Sequence, residues 1–232
     1  MIAITSDIDW APEEVIDDFL SFFEEKNINC TLFCTHESEI IKSANKNIFE
    51  LSIHPNFNEL LKGQTNRSAE QIIDNLLRLY PNAKGVRSHS MTQSTVLLDM
   101  FKNKGLIYDS NQFIPFNTKI RPYNLWNGMK RIPYNWEDDI VWMYGKKFSK
   151  NWIYEEFYEN LDYWVFDFHP IHVYLNTDCE STYLKAKKYY HNPKELIKKR
   201  NNKVYGVRDF LNDLLSEISS KSIKTNKLSE LC

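Results

Sequence analysis

The 232-residue chain has only four cysteines, Cys30, Cys34, Cys179 and Cys232, too few and too scattered for a disulfide framework. No stretch approaches the 18 apolar residues of a membrane span. The first residues also lack the basic region and apolar run of a secretory signal, so the chain reads as cytoplasmic with no membrane span. Charge of one sign is missing too: 29 Lys+Arg against 31 Asp+Glu leave a formal net charge of -2. No basic block interleaved with aromatics stands out to suit a phosphate backbone, which argues against nucleic acid as a partner. There is neither an internal repeat nor an inter-domain linker. Residues 1–219 are therefore expected as one α/β domain, and the polar residues 220–232 as a flexible tail.

Aromatic residues are plentiful at 14%, enough both to build a core and to line an apolar or carbohydrate pocket. Strand-like runs alternate with helical ones from end to end, which predicts βαβ units and a largely parallel sheet. IAIT reads as the first strand. APEEVIDDFLSFFEEKN reads as a helix with Pro12 at its start and Val15, Ile16, Phe19, Leu20 and Phe23 at helical spacing. CTLFC and FELSI follow as strands, and the same-face thiols Cys30 and Cys34 read as buried small apolar groups rather than metal ligands. SAEQ at Ser68 has the capping-box pattern of a helix start. VRS and LIYDS are short strands on either side of the helix STVLLDMFKNKG, which Gly105 closes. The Pro-, Asn- and aromatic-rich residues 114–139 predict loops and short strands. YWVFDFHP predicts a late strand and GVRDFLNDLLSEI a last amphipathic helix.

The chemically capable residues share one placement. Asp7 and Asp9 follow the first strand, His54 the third, Arg87 and His89 the fourth, Asp109 the fifth and His169 the late strand. The C-terminal strand edge is where barrels and open parallel sheets build their sites. Strand alternation would point both Asp7 and Asp9 into one pocket, where a divalent metal held by one carboxylate would resolve their repulsion and leave the other as a base. A helix cap before Pro12 would explain only one of the two. Asn58 lies four residues after His54, close enough to share a ligand on one helical turn. Arg87 suits a carboxylate, and His89, two residues on, is a stronger metal donor than the amide of Asn58. Asp167 shares a face with His169 and would help keep it protonated as a general acid, with His172 near the same mouth.

In this order the residues resemble the NodB-homology polysaccharide deacetylases, carbohydrate esterase family four, and within them the WbmS-like proteins of bacterial surface-polysaccharide gene clusters. The resemblance spans about three quarters of the chain. It implies a distorted (β/α) barrel of about seven strands. SDID matches the first motif, which makes Asp7 the base and Asp9 a metal ligand; His54-Pro-Asn-Phe-Asn58 stands where the family has His-x-x-x-His. Arg87-Ser-His89-Ser stands for Arg-x-Pro-aromatic, NWEDD supplies Trp136, Asp138 and Asp139, and FHP places the acid at His169. The resemblance also implies that Arg87 with Asp138 or Asp139 orients Asp7, while Trp136, Asp109 and His172 serve the substrate. The third strong metal ligand is expected to be His89 in place of Asn58. The implied cofactor is a divalent ion, zinc first, with nickel, cobalt, iron or manganese as alternatives. The implied reaction removes an N-acetyl or related acyl group from a nucleotide-, lipid- or oligosaccharide-linked amino sugar. Two rivals remain: hydrolysis of another linear amide or ring C–N bond, and a catalytically silent sugar-binding protein of a glycan-assembly pathway.

Overall fold

All six residues of strand β1 (Ile2–Asp7) are buried because β1 lies mid-sheet, flanked by β2 (Cys30–Cys34) and β9 (Trp164–Phe168), both parallel to it. A parallel strand covered on both faces reads as a continuous apolar run, the form IAIT takes. The computed structural model describes residues 1–232. From β2 the sheet continues through β3 (Phe49–Ile53), β4 (Gly85–Val86), β5 (Tyr108–Asp109) and β7 (Lys130–Arg131), with β6 (Tyr123–Asn124) antiparallel at that edge; β8 (Trp136–Glu137) lies beyond β9 at the other. β7 and β8 are two ends of one extended segment. It pairs with β5 through Lys130 and Arg131 and with β9 through Trp136 and Glu137, so it spans both edges of the curled sheet. With that segment taken as one strand, the parallel set is β1 to β5, the spanning segment and β9: a distorted (β/α) barrel of seven strands, as expected.

Alternation sorts the side chains. Ile2, Ile4, Cys30, Leu32, Cys34, Phe166 and Phe168 point outward into the main core, under the helices Glu13–Lys26, Pro170–Leu175 and Val207–Ser220. The first of these helices buries Val15, Ile16, Phe19, Leu20 and Phe23 as its spacing predicts. Ala3, Phe33, Tyr108, Ile132, Tyr134 and Val165 fill a smaller cluster, the barrel interior. Gly85 is required there: a Cβ would lie 1.9 Å from the Tyr108 ring. The helix at Ser68 carries its capping box, and Gly105 takes φ +88° just past the end of Thr95–Asn103. No helix is long and apolar enough to cross a membrane.

The C-terminal residues correct one expectation. Residues 221–232 are not a loose end: Asn226 bridges to Ala3, and its N–H donates to the Ile2 carbonyl at 2.8 Å. The Leu228 N–H donates to Thr31 Oγ1 at 3.0 Å and the Ser229 N–H to Glu50 Oε2 at 3.1 Å, while the Leu228 side chain is fully buried in the interior cluster. One apolar plug fills the foot of the barrel and three backbone donors satisfy acceptors there, which outweighs the polar composition of this stretch.

Candidate active site

Asp7 is the last residue of β1, and the chain then bends through two left-handed residues, Asp9 (φ +41°) and Trp10 (φ +58°). This turn brings Asp9 back over the barrel mouth. His54 follows β3, its N–H held by the Cys34 carbonyl, and the N–H of His89 donates to the Pro55 carbonyl, which ties the two histidine loops together. Three donor atoms converge: Asp9 Oδ1 to His54 Nε2 is 3.3 Å, Asp9 Oδ1 to His89 Nδ1 is 3.2 Å, and the two imidazole nitrogens are 3.3 Å apart. Asp9 Oδ1 and His54 Nδ1 are buried without a hydrogen-bond partner. Burial alone would raise the Asp9 carboxyl, but His54 and His89 hold it well below the usual carboxylate range. Ligand distances of about 2.0–2.1 Å place tetrahedral neighbours about 3.3 Å apart, so this carboxylate–diimidazole triangle has the size and chemistry to hold zinc or a similar ion.

Asp7 sits under the triangle, with Oδ2 3.6 Å from His54 Nε2. Its Oδ1 accepts from Arg87 Nη1 at 2.9 Å, and the same nitrogen bonds Asp167 and lies 3.0 Å from Thr5 Oγ1. Arg87 is wholly buried, its guanidinium between the Phe33 and Tyr134 rings at 4.3 and 4.1 Å from their centroids. Nε and Nη2 donate to Ser110. Burial pushes the Asp167 carboxyl up to about 7 against the pull of Arg87.

Across the cleft, His169 Nδ1 donates to Asp138 Oδ1 at 2.7 Å, and its backbone N–H donates to Asp138 Oδ2 at 2.8 Å. That fixes the ring and leaves Nε2 facing Asp9, 3.8 Å from Oδ2. Burial disfavours the imidazolium, yet Asp138, Asp9 and Asp139 hold His169 well above its ordinary value. His172 faces Trp142 and Tyr183 instead, and burial pushes it down to about 4. Asp139 borders the cleft, its carboxyl raised to about 6 by burial. Glu137 also lines the cleft, a position that no motif in the sequence marks; burial and then Asp139 push it well upward. Its register opposite Asp167, an inward residue, is the signal that placed it there.

Several expectations need correction. Asn58 stands apart from the triangle, its Nδ2 donating to Ser90 Oγ at 3.3 Å at the start of a short helix. Asp109 points away from the mouth because Tyr108 on the same strand points inward; it is locked in a two-bond pair with Arg131 at 2.9 and 2.7 Å. Trp136, in register with outward-facing Phe166, stacks on Phe210 in the core and meets no cleft. Asp138 holds His169 rather than Arg87, and the carboxylate beside Arg87 is Asp167.

The sequence profile of the WbmS-like polysaccharide deacetylases matches residues 4–187. The chain belongs to that family. The crystal structure of WbmS from Bordetella bronchiseptica, assigned as a polysaccharide deacetylase involved in O-antigen biosynthesis, is 38% identical, with 93% of this chain and 90% of that one covered and a TM-score of 0.86. A polysaccharide-deacetylase structure from Mycobacterium smegmatis is 16% identical over 99% of this chain and 87% of that one, with a TM-score of 0.60. The family 4 carbohydrate esterase from Streptomyces lividans, solved with acetate, is 9% identical over 97% and 91%, with a TM-score of 0.53. These last two share the fold. A comparison with curated protein sequences finds no match. Membership in this deacetylase family makes the chain a hydrolase of the carbohydrate-esterase type, built on the NodB-type barrel.

Proposed function

We propose that the protein is a metal-dependent deacetylase that removes an N-acetyl or related acyl group from an amino sugar destined for a bacterial surface polysaccharide, in the cytoplasm. What carries the reading is the juxtaposition of the Asp9–His54–His89 triangle with a paired base on one side and a paired acid on the other. Asp9, His54 and His89 would hold a divalent ion, with zinc favoured by the two imidazoles. Bound there, such an ion supplies Lewis acidity toward the acyl carbonyl and makes water acidic near neutral pH.

This chain's own residues do the rest. Asp7, oriented by Arg87 through Oδ1, accepts the proton of the attacking water at Oδ2. The water oxygen adds to the acyl carbon, and the N–H of the cleft-lining Ser90, which has no intramolecular acceptor, would donate to the developing oxyanion. His169 Nε2 gives its proton to the amine as the C–N bond breaks, which releases the acyl group as a carboxylate. Asp138 keeps the ring aligned and stabilises the imidazolium until then. A catalytically silent sugar binder would need none of this pairing. The test is acetate release from a panel of acetamido sugars and simple amides by zinc-loaded protein and by Asp7→Asn. Release from sugars, falling by about 10²–10⁴ in Asp7→Asn while zinc is retained, supports the reading. Turnover near wild type in Asp7→Asn, or release from simple amides only, overturns it.

A further inference from the structure

Beside the catalytic cleft a second hollow of about 510 Å³ opens, and Asp9, Asp139 and His169 line both. That is the size range of small-molecule sites, about 300–1,000 Å³. Its walls are aromatic: Trp10, Tyr183 and Tyr190, the last with its hydroxyl bonded to the Asp9 carbonyl. Lys187 and His191 also line it. Lys187 has no carboxylate partner and rests 5.8 Å from the Tyr183 ring centroid, whereas Lys198 and Arg200 nearby are paired with Glu195 and Asp18. It belongs to a segment unlike the rest of the chain. Residues 183–200 hold six lysines and one arginine against one glutamate, while the whole chain is at -2.

We propose that this hollow is a substrate subsite for an anionic group, so that the enzyme acts on acylated amino sugars that carry a phosphate or a carboxylate. The inference rests on the deacetylase reading and narrows its substrate. With the acyl nitrogen between Asp7 and His169, the sugar ring lies along the Trp10, Tyr183 and Tyr190 walls. An anion on that ring is drawn to the Lys187 ammonium, which fixes the direction in which the sugar enters. Aromatic faces beside the ring and one unpaired ammonium select for both features together.

The test is calorimetric binding to zinc-loaded Asp7→Asn protein of N-acetylglucosamine, its 1-phosphate and its 6-carboxylate analogue. At least one anionic ligand should bind about tenfold tighter than the neutral sugar, the scale of one charge-assisted contact. That ratio should fall toward one in Lys187→Ala, and also as ionic strength rises from about 0.01 to about 0.15 M. It should persist in Lys185→Ala, which lies on the same segment outside the hollow. Preference for the phosphate identifies a sugar phosphate, and preference for the carboxylate a uronic acid. Equal binding of all three sugars, binding of none, or equal losses in Lys185→Ala and Lys187→Ala would overturn the subsite. Failure of the deacetylase reading shows separately, as no acetate from any of the three sugars with wild-type protein.

Discussion

Replacing Arg87 with Met tests the centre of the barrel without reference to any ligand. Arg87 is wholly buried and is the shared cation of Asp7 and Asp167, which are themselves 6% and 0% exposed. Met keeps much of the volume between Phe33 and Tyr134 but leaves both carboxylates without their cation. Removing one partner of a buried pair costs about 3–5 kcal/mol. Asp167, already raised to about 7 by burial, would then take up a proton at neutral pH, which keeps the loss within that range rather than doubling it. For a chain of this size each kcal/mol moves Tm by about 2–4 °C, so Arg87→Met should melt about 6–20 °C below wild type. The deficit should depend on pH. A carboxyl raised above its unfolded value contributes stability that is full below the unfolded pKa and is lost as pH rises through the folded one. Without Arg87 that loss grows, so the gap between variant and wild type should widen from pH 4 to pH 8. Thermal unfolding followed by circular dichroism in chelator reads both effects. A Tm within about 2 °C of wild type, or a gap that narrows with rising pH, would refute the argument.

Other outcomes follow from the same contacts. Titrating zinc into chelator-stripped variants should show His89→Ala weakened by more than the about 10–100-fold typical of supporting residues, and Asn58→Ala by no more than that; the reverse order would return Asn58 to the ligand set. His172, pushed down to about 4 by burial, contributes stability that is present above its unfolded value near 6.5 and is lost as pH falls toward 4. Urea unfolding of His172→Gln should therefore decline less steeply over that window, by up to about 3 kcal/mol, and parallel curves would contradict it. Leu228→Ala should cost about 2–5 kcal/mol, as a buried leucine does, and an unchanged denaturation midpoint would mean the C-terminal plug contributes nothing.

Much of the barrel was legible because its strands and helices announce themselves by period. The runs IAIT, CTLFC, FELSI and YWVFDFHP became β1, β2, β3 and β9. The C-terminal plug was not legible, because a lone buried Leu228 in a polar stretch has no period to detect. Residues 183–200 carry no sequence signal for a related reason. Their lysines are spread between helical turns and tyrosines rather than set in a block, and only the fold brings Lys187 to the rim of a cleft.

The site residues divide by whether alternation from a regular strand reaches them. Asp7, Asp167 and His169 keep the inward phase of β1 and β9, which brings Asp7 and His169 to the cleft and sets Asp167 beneath it against Arg87. The same rule, applied at Asp109, turns that residue away, because Tyr108 takes the inward place on β5. At the spanning segment the rule breaks down. Tyr134 faces inward at one end, yet Trp136 faces outward and Glu137 inward once the segment joins β9, so the phase slips between Tyr134 and Glu137. That slip sends Trp136 into the core, delivers Glu137 and then Asp139 to the cleft and sets Asp138 behind His169, which no alternation read from NWEDD could foresee. Asp9 reaches the pocket by yet another route. It shares the mouth with Asp7, but through two consecutive left-handed residues after the strand has ended, a conformation that the sequence Asp9–Trp10 does not advertise. Strain of that kind persists where the surroundings over-determine it, and here the Tyr190 hydroxyl on the Asp9 carbonyl and the Thr35 hydroxyl on the Trp10 N–H hold the turn. The position of Asp9 in the triangle thus rests in part on a tyrosine from the segment that borders the neighbouring hollow.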